Sequence, residues 1–342
     1  MNGLVTSNCS YSEKHILDCI TIVNMLEESN GGYSEKLHLD TAHRIYLQDS
    51  QEMKEITDKS VHLVVTSPPY WNIKDYGHPK QIGYRDELEE YLEKLGHVWS
   101  ECVRVLAPAC RLCINIGDQY LRANSNENKP YQIIPLHAYT INSIMQNHMD
   151  DLVYLGSIIW NKIPTTRTSG GASVMGSYGY PRNGYVSYNY EYIAIFKKKK
   201  NKGEVEPKPD PAAKQKAVIE LPKWRELFNG IWSFSNSQFE EDFNVIWNFN
   251  GARQINHVAT FPDELPRRLM QMFTYEGDTV LDPFLGSGTT TKVALELGRN
   301  SIGYEIGFKS SNDNDTLNVI KEKIHYYDVP TELRKKVFPN LL

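Results

Sequence analysis

Thr279-Val280-Leu281-Asp282-Pro283-Phe284-Leu285-Gly286-Ser287-Gly288-Thr289-Thr290 is the stretch that decides the fold. A short apolar run ends in a carboxylate, and a loop punctuated by glycines follows it. Val293–Leu297 has helical character, and Ser301–Tyr304 is a second buried strand that ends at Glu305. Strand, glycine loop, helix, strand and acid together form the layout of a nucleoside site. Glycine lets the backbone approach the ligand, and the terminal carboxylate takes ribose hydroxyls. Glu305 lies 23 residues beyond Asp282, near the spacing of about 20 that such sites show. Thr291 stands where a dinucleotide loop has its third glycine, and no G-x-x-x-x-G-K-[ST] segment occurs, so a diphosphate ligand fits poorly. A carboxylate at Asp282 suits a ligand with a cationic amino group. S-adenosylmethionine joins such a group to a nucleoside.

Working outward, a second strand, Val61–Val65, runs straight into Thr66-Ser67-Pro68-Pro69-Tyr70-Trp71. Two prolines remove two backbone donors and fix φ, which leaves a rigid loop with its carbonyls free to accept. The Ser67 hydroxyl and the Pro68 carbonyl are acceptors beside the aromatic face of Tyr70. Such a group can grip an exocyclic amino group and stack on the ring that bears it.

Together these motifs resemble the amino-group DNA methyltransferases. Thr66–Trp71 is similar to the family's catalytic motif and Asp282–Thr290 to its cofactor motif. Their order along the chain is that of the beta group, in which target recognition lies between them. Asn189–Lys197 resembles a family strand that usually begins His-Glu, with Tyr190 in place of the histidine, and His257–Leu269 resembles the segment leading into the cofactor motif. The match covers residues 38–200 and 255–308. It implies an α/β, Rossmann-like S-adenosylmethionine-dependent methyltransferase sheet with helices on both faces, plus a small inserted target-recognition subdomain. It implies catalytic roles for Ser67, Pro68, Pro69 and Tyr70. Cofactor contacts are expected from Asp282, Phe284, Gly286, Ser287, Gly288, Thr289 and Glu305, with Phe261 as a pocket wall and Asp49 at the adenine. The target base has to leave the duplex, as in base-flipping enzymes generally. The family's cytosine-N4 enzymes usually carry Ser before Pro-Pro and its adenine enzymes Asp or Asn, so Ser67 points to cytosine N4, with adenine N6 as the alternative.

The remaining expectations are coarser. Net charge is −5, which taken alone disfavours a nucleic-acid binder. Yet residues 160–202 carry +7, leaving −12 for the rest, and six tyrosines are interleaved with those cations. Cations beside aromatic rings suit a phosphate backbone and unstacked bases. Lys162, Arg167, Arg182, Lys197 and Lys198 are therefore the expected contacts to double-stranded DNA. A helix is expected at Ser50–Ile56 and another at Leu88–Leu106. Residues 1–37 form a helical extension, 38–200 and 255–328 the catalytic domain, 201–254 the target-recognition region and 329–342 a C-terminal tail.

No run of 18 apolar residues occurs, and Met1–Tyr11 lacks a secretory leader, so a cytoplasmic protein without a membrane span is expected, and the resemblance implies a prokaryotic one. Five cysteines do not make a disulfide framework, and Cys110-x-x-Cys113 lacks the further ligands of a zinc site, so no metal is expected. The resemblance implies the modification half of a restriction–modification system, with a restriction endonuclease that acts on the same site. Two other classes are weaker. A protein-glutamine methyltransferase shares Pro-Pro-Tyr but has its cofactor motif first. A dehydrogenase would need the glycine that Thr291 replaces.

Overall fold

The computed structural model describes residues 37–121, 132–161, 175–176, 182, 184–185, 190–232, 261–307 and 313–341. The chain divides into two compact units, 1–37 and 38–342, and every element below belongs to the second. The helical extension expected over 1–37, apart from Leu37, lies outside the described residues, as do Lys162 and Arg167.

In chain order the elements are β1 (His43–Tyr46), β2 (Val61–Thr66), α1 (Leu88–Val105), β3 (Leu106–Ile116), β4 (Gln119–Leu121) and β5 (Gln132–Ile134). They continue with α2 (Leu136–His148), β6 (Leu152–Asn161), β7 (Met175–Gly176), β8 (Gly184–Tyr185), β9 (Tyr190–Lys198), α3 (Pro211–Lys216), α4 (Leu221–Leu227) and β10 (Ile231–Trp232). Last come α5 (Glu264–Phe273), β11 (Thr279–Asp282), α6 (Thr289–Glu296), β12 (Asn300–Tyr304), α7 (Asp313–Lys323) and α8 (Thr331–Val337).

Eight strands form one sheet in the order β1-β12-β11-β2-β3-β9-β6-β10. The first five are mutually parallel, whereas β9 runs antiparallel to both β3 and β6. Side chains on each strand alternate between two cores, one on each face of the sheet. Leu112, Ile114 and Ile116 of β3 enter the first core with Ala194 and Phe196 of β9. Cys113, Ile193 and Ile195 enter the second, with Val280 of β11 and Leu265 and Leu269 of α5. Helix α1 seals the first face with Tyr91, Leu95, Val98, Trp99 and Cys102, which recur at helical spacing on one side.

The neighbours β11 and β2 mark the switch point of this sheet. From β11 the chain passes through α6 to β12 on one side. From β2 it passes through α1 to β3 on the other. A crevice opens outside the carboxyl ends of strands that diverge in this way, and it is where ligands bind in open α/β sheets. Both sequence motifs sit there.

Three expectations change. Ser50–Ile56 forms turns rather than a helix, because α1 supplies partners for its backbone. Glu101 accepts from the Met53 N–H at 2.7 Å, and the Arg104 guanidinium donates to the Met53 and Ile56 carbonyls at 2.8 and 2.9 Å. Of residues 201–254, the described part does not stand wholly apart, because it ends in a strand of the main sheet. Strand β10 extends the sheet beside β6, and Trp232 is buried with its indole N–H on the Leu227 carbonyl at 2.9 Å. The expected C-terminal tail is likewise integral. Val337, Phe338 and Leu341 are buried, and the Asn340 carboxamide bonds both the N–H and the C=O of Ile45 in β1 at 3.1 and 2.7 Å.

Candidate active site

Strand β11 delivers Asp282 to the switch point, and the loop after it turns on glycines. Gly288 caps α6 at φ +100°, and a Cβ there would meet Ile324 Cγ2 at 2.8 Å, so both its conformation and its surroundings exclude a larger residue. Asp282 is fully buried. It accepts from Thr66 Oγ1 at 2.8 Å, Thr290 Oγ1 at 2.6 Å and the Phe284 N–H at 3.1 Å. Burial pushes its carboxyl up to about 6 against the pull of those three bonds. The structure thus places Asp282 behind the loop, where it ties the end of β2 to the start of α6, and not on the cavity surface. Ser287, Gly288 and Thr289 lie with it in the wall.

A cavity of about 210 Å³ occupies the switch point. On one side it is lined by Gly286, Phe284, Phe261, Asp49 and Glu305. Glu305, at the end of β12, accepts from the Gly286 N–H at 2.9 Å and the Gly307 N–H at 3.0 Å. Burial, reinforced by the charge of Asp282, raises its carboxyl to about 7 in spite of those bonds. Asp49 holds the backbone and side-chain N–H groups of Gln51, both at 2.9 Å.

Ser67, Pro68, Pro69 and Tyr70 line the other side of the same cavity. Tyr91 of α1 donates its hydroxyl to the Pro69 carbonyl at 3.0 Å, which fixes the loop from below. The Tyr70 hydroxyl donates to Glu191 Oε2 at 3.0 Å and also meets the Ser67 side chain. Burial, and then the Glu191 charge, hold the Tyr70 phenol well above its ordinary range, so it keeps its proton. With that proton directed at Glu191, the Ser67 hydroxyl gives its own to the Tyr70 oxygen. Its lone pairs are left for another partner.

Two cavity residues were not singled out for this site from the sequence. Glu191 opens β9, and Asn115 lies near the end of β3; both line the cavity, and Asn115 Nδ2 donates to Glu191 Oε2 at 2.9 Å. Each left a trace in the sequence. Asn115 is the one polar residue in the apolar run Leu112–Ile116, and Glu191 is the only acid in the basic segment. The loop after Trp71 adds Lys74, Tyr76 and Lys80 to the lining, and Tyr76 faces the charge of Glu305.

The basic residues divide. Arg182 is exposed in a turn. Lys197 and Lys198 end β9, six and seven residues along the strand from Glu191, roughly 20 and 23 Å away at ordinary strand rise. Lys198 is buried, and its ammonium donates to the Val103 carbonyl. Because β9 runs antiparallel to its neighbours, it enters at the cavity and leaves at the opposite edge of the sheet, so these two lysines do not border the crevice. Cys110 and Cys113 are free thiols on β3, and burial pushes both up to about 12. Among the described residues no cluster could hold a metal ion, and no helix is long and apolar enough to cross a membrane.

Comparison with known proteins agrees with this geometry. A family model described as DNA methylase matches residues 61–312. The Type II methyltransferase M.MjaI of Methanocaldococcus jannaschii is 36% identical over 84% of this chain and 93% of its own length. M.MthZI of Methanothermobacter thermautotrophicus is 36% identical over 83% of this chain and 80% of its own length. A candidate DNA modification methylase of Thermus thermophilus, solved in complex with S-adenosyl-L-methionine, is 27% identical. It superimposes with a TM-score of 0.58 over 83% of this chain and 96% of its own. The cytosine-N4-specific PvuII DNA methyltransferase shares the fold, with a TM-score of 0.52 at 19% identity. The chain belongs to the N6/N4 DNA methylase family. It is a DNA methyltransferase related to the Type II enzymes of prokaryotic restriction–modification systems.

Proposed function

We propose that this DNA methyltransferase moves a methyl group from S-adenosylmethionine to the exocyclic N4 of a cytosine flipped out of duplex DNA. The observation that carries the reading is one cavity lined on one side by Ser67-Pro68-Pro69-Tyr70 and on the other by Gly286 and Glu305. Donor and acceptor would meet there.

The residues present fit the cofactor. Glu305 offers carboxylate oxygens to a ribose diol, Phe261 and Phe284 offer apolar walls to a purine, and Asp49 stands at the rim for its amino group. Bound S-adenosylmethionine supplies a sulfonium methyl that is open to in-line attack. An exocyclic amino nitrogen is a poor nucleophile because its lone pair is delocalised into the ring. Ser67 Oγ and the Pro68 carbonyl accept from one of its N–H bonds and favour a pyramidal nitrogen, while Tyr70 packs on the base. The nitrogen pair would form the new N–C bond, the C–S pair would leave with sulfur as S-adenosylhomocysteine, and the methylated amine would lose one proton to solvent water. Catalysis is then mainly the alignment of two bound partners. Asp282 contributes by fixing the two loops to each other.

Serine before Pro-Pro favours cytosine over adenine. The kinship with Type II enzymes supports a role in protecting host DNA against a restriction endonuclease that cuts the same site. Arg182 is exposed and would meet DNA phosphate, and the described part of 201–254 would carry target recognition onto the β10 edge. The test is incubation of the full-length enzyme with labelled S-adenosylmethionine and unmethylated genomic DNA, then nucleoside mass spectrometry. N4-methylcytosine is expected. N6-methyladenine would keep the cofactor and mechanism but overturn the base assignment, and no methylated nucleoside would overturn the DNA reading.

A further inference from the structure

Asn115 is almost wholly buried, lines the cavity, and has an amide oxygen with no hydrogen-bond partner among the described residues. A buried carbonyl left without a donor is costly, so such a group calls for an explanation. The amide cannot turn to relieve it. Its NH2 end is fixed on Glu191 Oε2 at 2.9 Å, and a carboxylate oxygen accepts from an NH2 group but has nothing to give to a carbonyl. The oxygen is therefore held as an acceptor.

Its position in the sheet is equally specific. In the parallel pair β2 and β3, Thr66 is in register with Ile114. Ser67 follows Thr66 just past the end of β2, Asn115 follows Ile114 in β3, and both line the cavity. Glu191 Oε2 accepts from the Tyr70 hydroxyl as well as from the Asn115 N–H. One carboxylate oxygen thus draws two donors toward itself. It leaves two neighbouring acceptors, Ser67 Oγ through Tyr70 and Asn115 Oδ1 directly. An exocyclic amino group carries two N–H bonds. Gly117 leaves room for this arrangement, since a Cβ there would come within 3.0 Å of Glu191 Cγ.

We infer that Asn115 Oδ1 is a second acceptor for the amino group of the target base, set in place by Glu191 as a positioning residue. The inference rests on the proposed base methylation and deepens it. Ser67 with Pro68 takes one N–H, Asn115 takes the other, and the nitrogen lone pair is turned out of the ring plane toward the methyl donor.

The test is a chemical double-mutant cycle with full-length enzyme and S-adenosylhomocysteine. The duplex carries the site that the wild-type enzyme methylates in genomic DNA. In its partner duplex the target is replaced by the same base without its exocyclic amino group. Wild type should prefer the amino-bearing duplex. In Asn115→Leu that preference should shrink by about three- to tenfold, the worth of one hydrogen bond, with S-adenosylhomocysteine affinity unchanged. Asn115→Ala, which adds no bulk, is run in the same cycle in case leucine disturbs folding. Equal weakening of both duplexes, or an unchanged preference, would overturn the Asn115 role while leaving base methylation intact. A wild-type enzyme that yields no methylated nucleoside would overturn the underlying reading, and the Asn115 role with it.

Discussion

The Thr66 hydroxyl donates to Asp282 Oδ1 at 2.8 Å, joining residues 216 positions apart in the chain. Thr66 immediately precedes the Ser-Pro-Pro-Tyr loop, and Asp282 opens the glycine loop. This bond therefore couples the two halves of the cavity. Thr66→Val removes the donor and keeps the shape. A buried carboxylate that loses a donor should cost about 1–3 kcal/mol, read in calorimetry as a Tm lower by on the order of 2–10 °C. Asp282 already titrates near 6 because of its burial, and losing the Thr66 bond raises it further. The raised carboxyl binds its proton more tightly folded than unfolded, so the cost should be larger at pH 8 than at pH 5. An unchanged Tm at both values would show that the bond contributes nothing.

Ser67→Ala tests the acceptor assigned to the base. Loss of a bond of about 1.5–3 kcal/mol at the transition state should lower kcat about 10- to 150-fold. Affinity for S-adenosylhomocysteine should stay within about twofold, because Glu305 and Gly286 are untouched. Isothermal titration beside single-turnover kinetics separates the two quantities. Undiminished turnover would remove Ser67 from the chemistry.

Glu305 predicts a pH dependence of cofactor binding. Its carboxyl is raised to about 7, and ribose hydroxyls donate only to oxygens that can accept. Binding therefore favours the ionised form and releases a proton below neutrality. Affinity for S-adenosylhomocysteine should weaken as pH falls through 7 and level off above 8. Glu305→Gln should bind more weakly and lose that slope. A wild-type affinity flat between pH 5.5 and 8.5 would separate Glu305 from the ribose.

Salt dependence distinguishes the cations. A lysine or arginine on DNA phosphate contributes about 0.9 to the slope of log K against log salt. Arg182→Ala should reduce that slope by about 1. Lys198→Met should leave it unchanged, since that ammonium is buried on the Val103 carbonyl. A slope that falls for Lys198→Met would contradict its position at the far edge of the sheet.

How much was legible in the sequence follows from the range of the forces involved. Strands β2, β11 and β12 were readable because burial on both faces demands continuous apolar residues, and the glycine loop because left-handed φ demands glycine. The Ser50–Ile56 turns were not, since their backbone is satisfied by Glu101 and Arg104 about 50 residues later. Asn115 and Glu191 come together only through the β3–β9 pairing, which no local spacing encodes. Lys198 was misplaced for the same reason. Composition showed a basic segment, but the antiparallel course of β9 carries its end away from the crevice. The C-terminal residues read only as a tail because their partner, Ile45, sits 295 positions earlier than Asn340.

That last pairing has a consequence for the outer border of the sheet. Among the described residues strand β1 pairs with β12 on one side only, and an open strand flank is a template on which a foreign strand can add. By taking both polar groups of Ile45, Asn340 occupies that template with a side chain that cannot propagate a ladder. The final residues of the chain thus serve as a built-in guard against edge-to-edge aggregation. Trimming them as a supposed tail would trade a tidier terminus for a stickier protein.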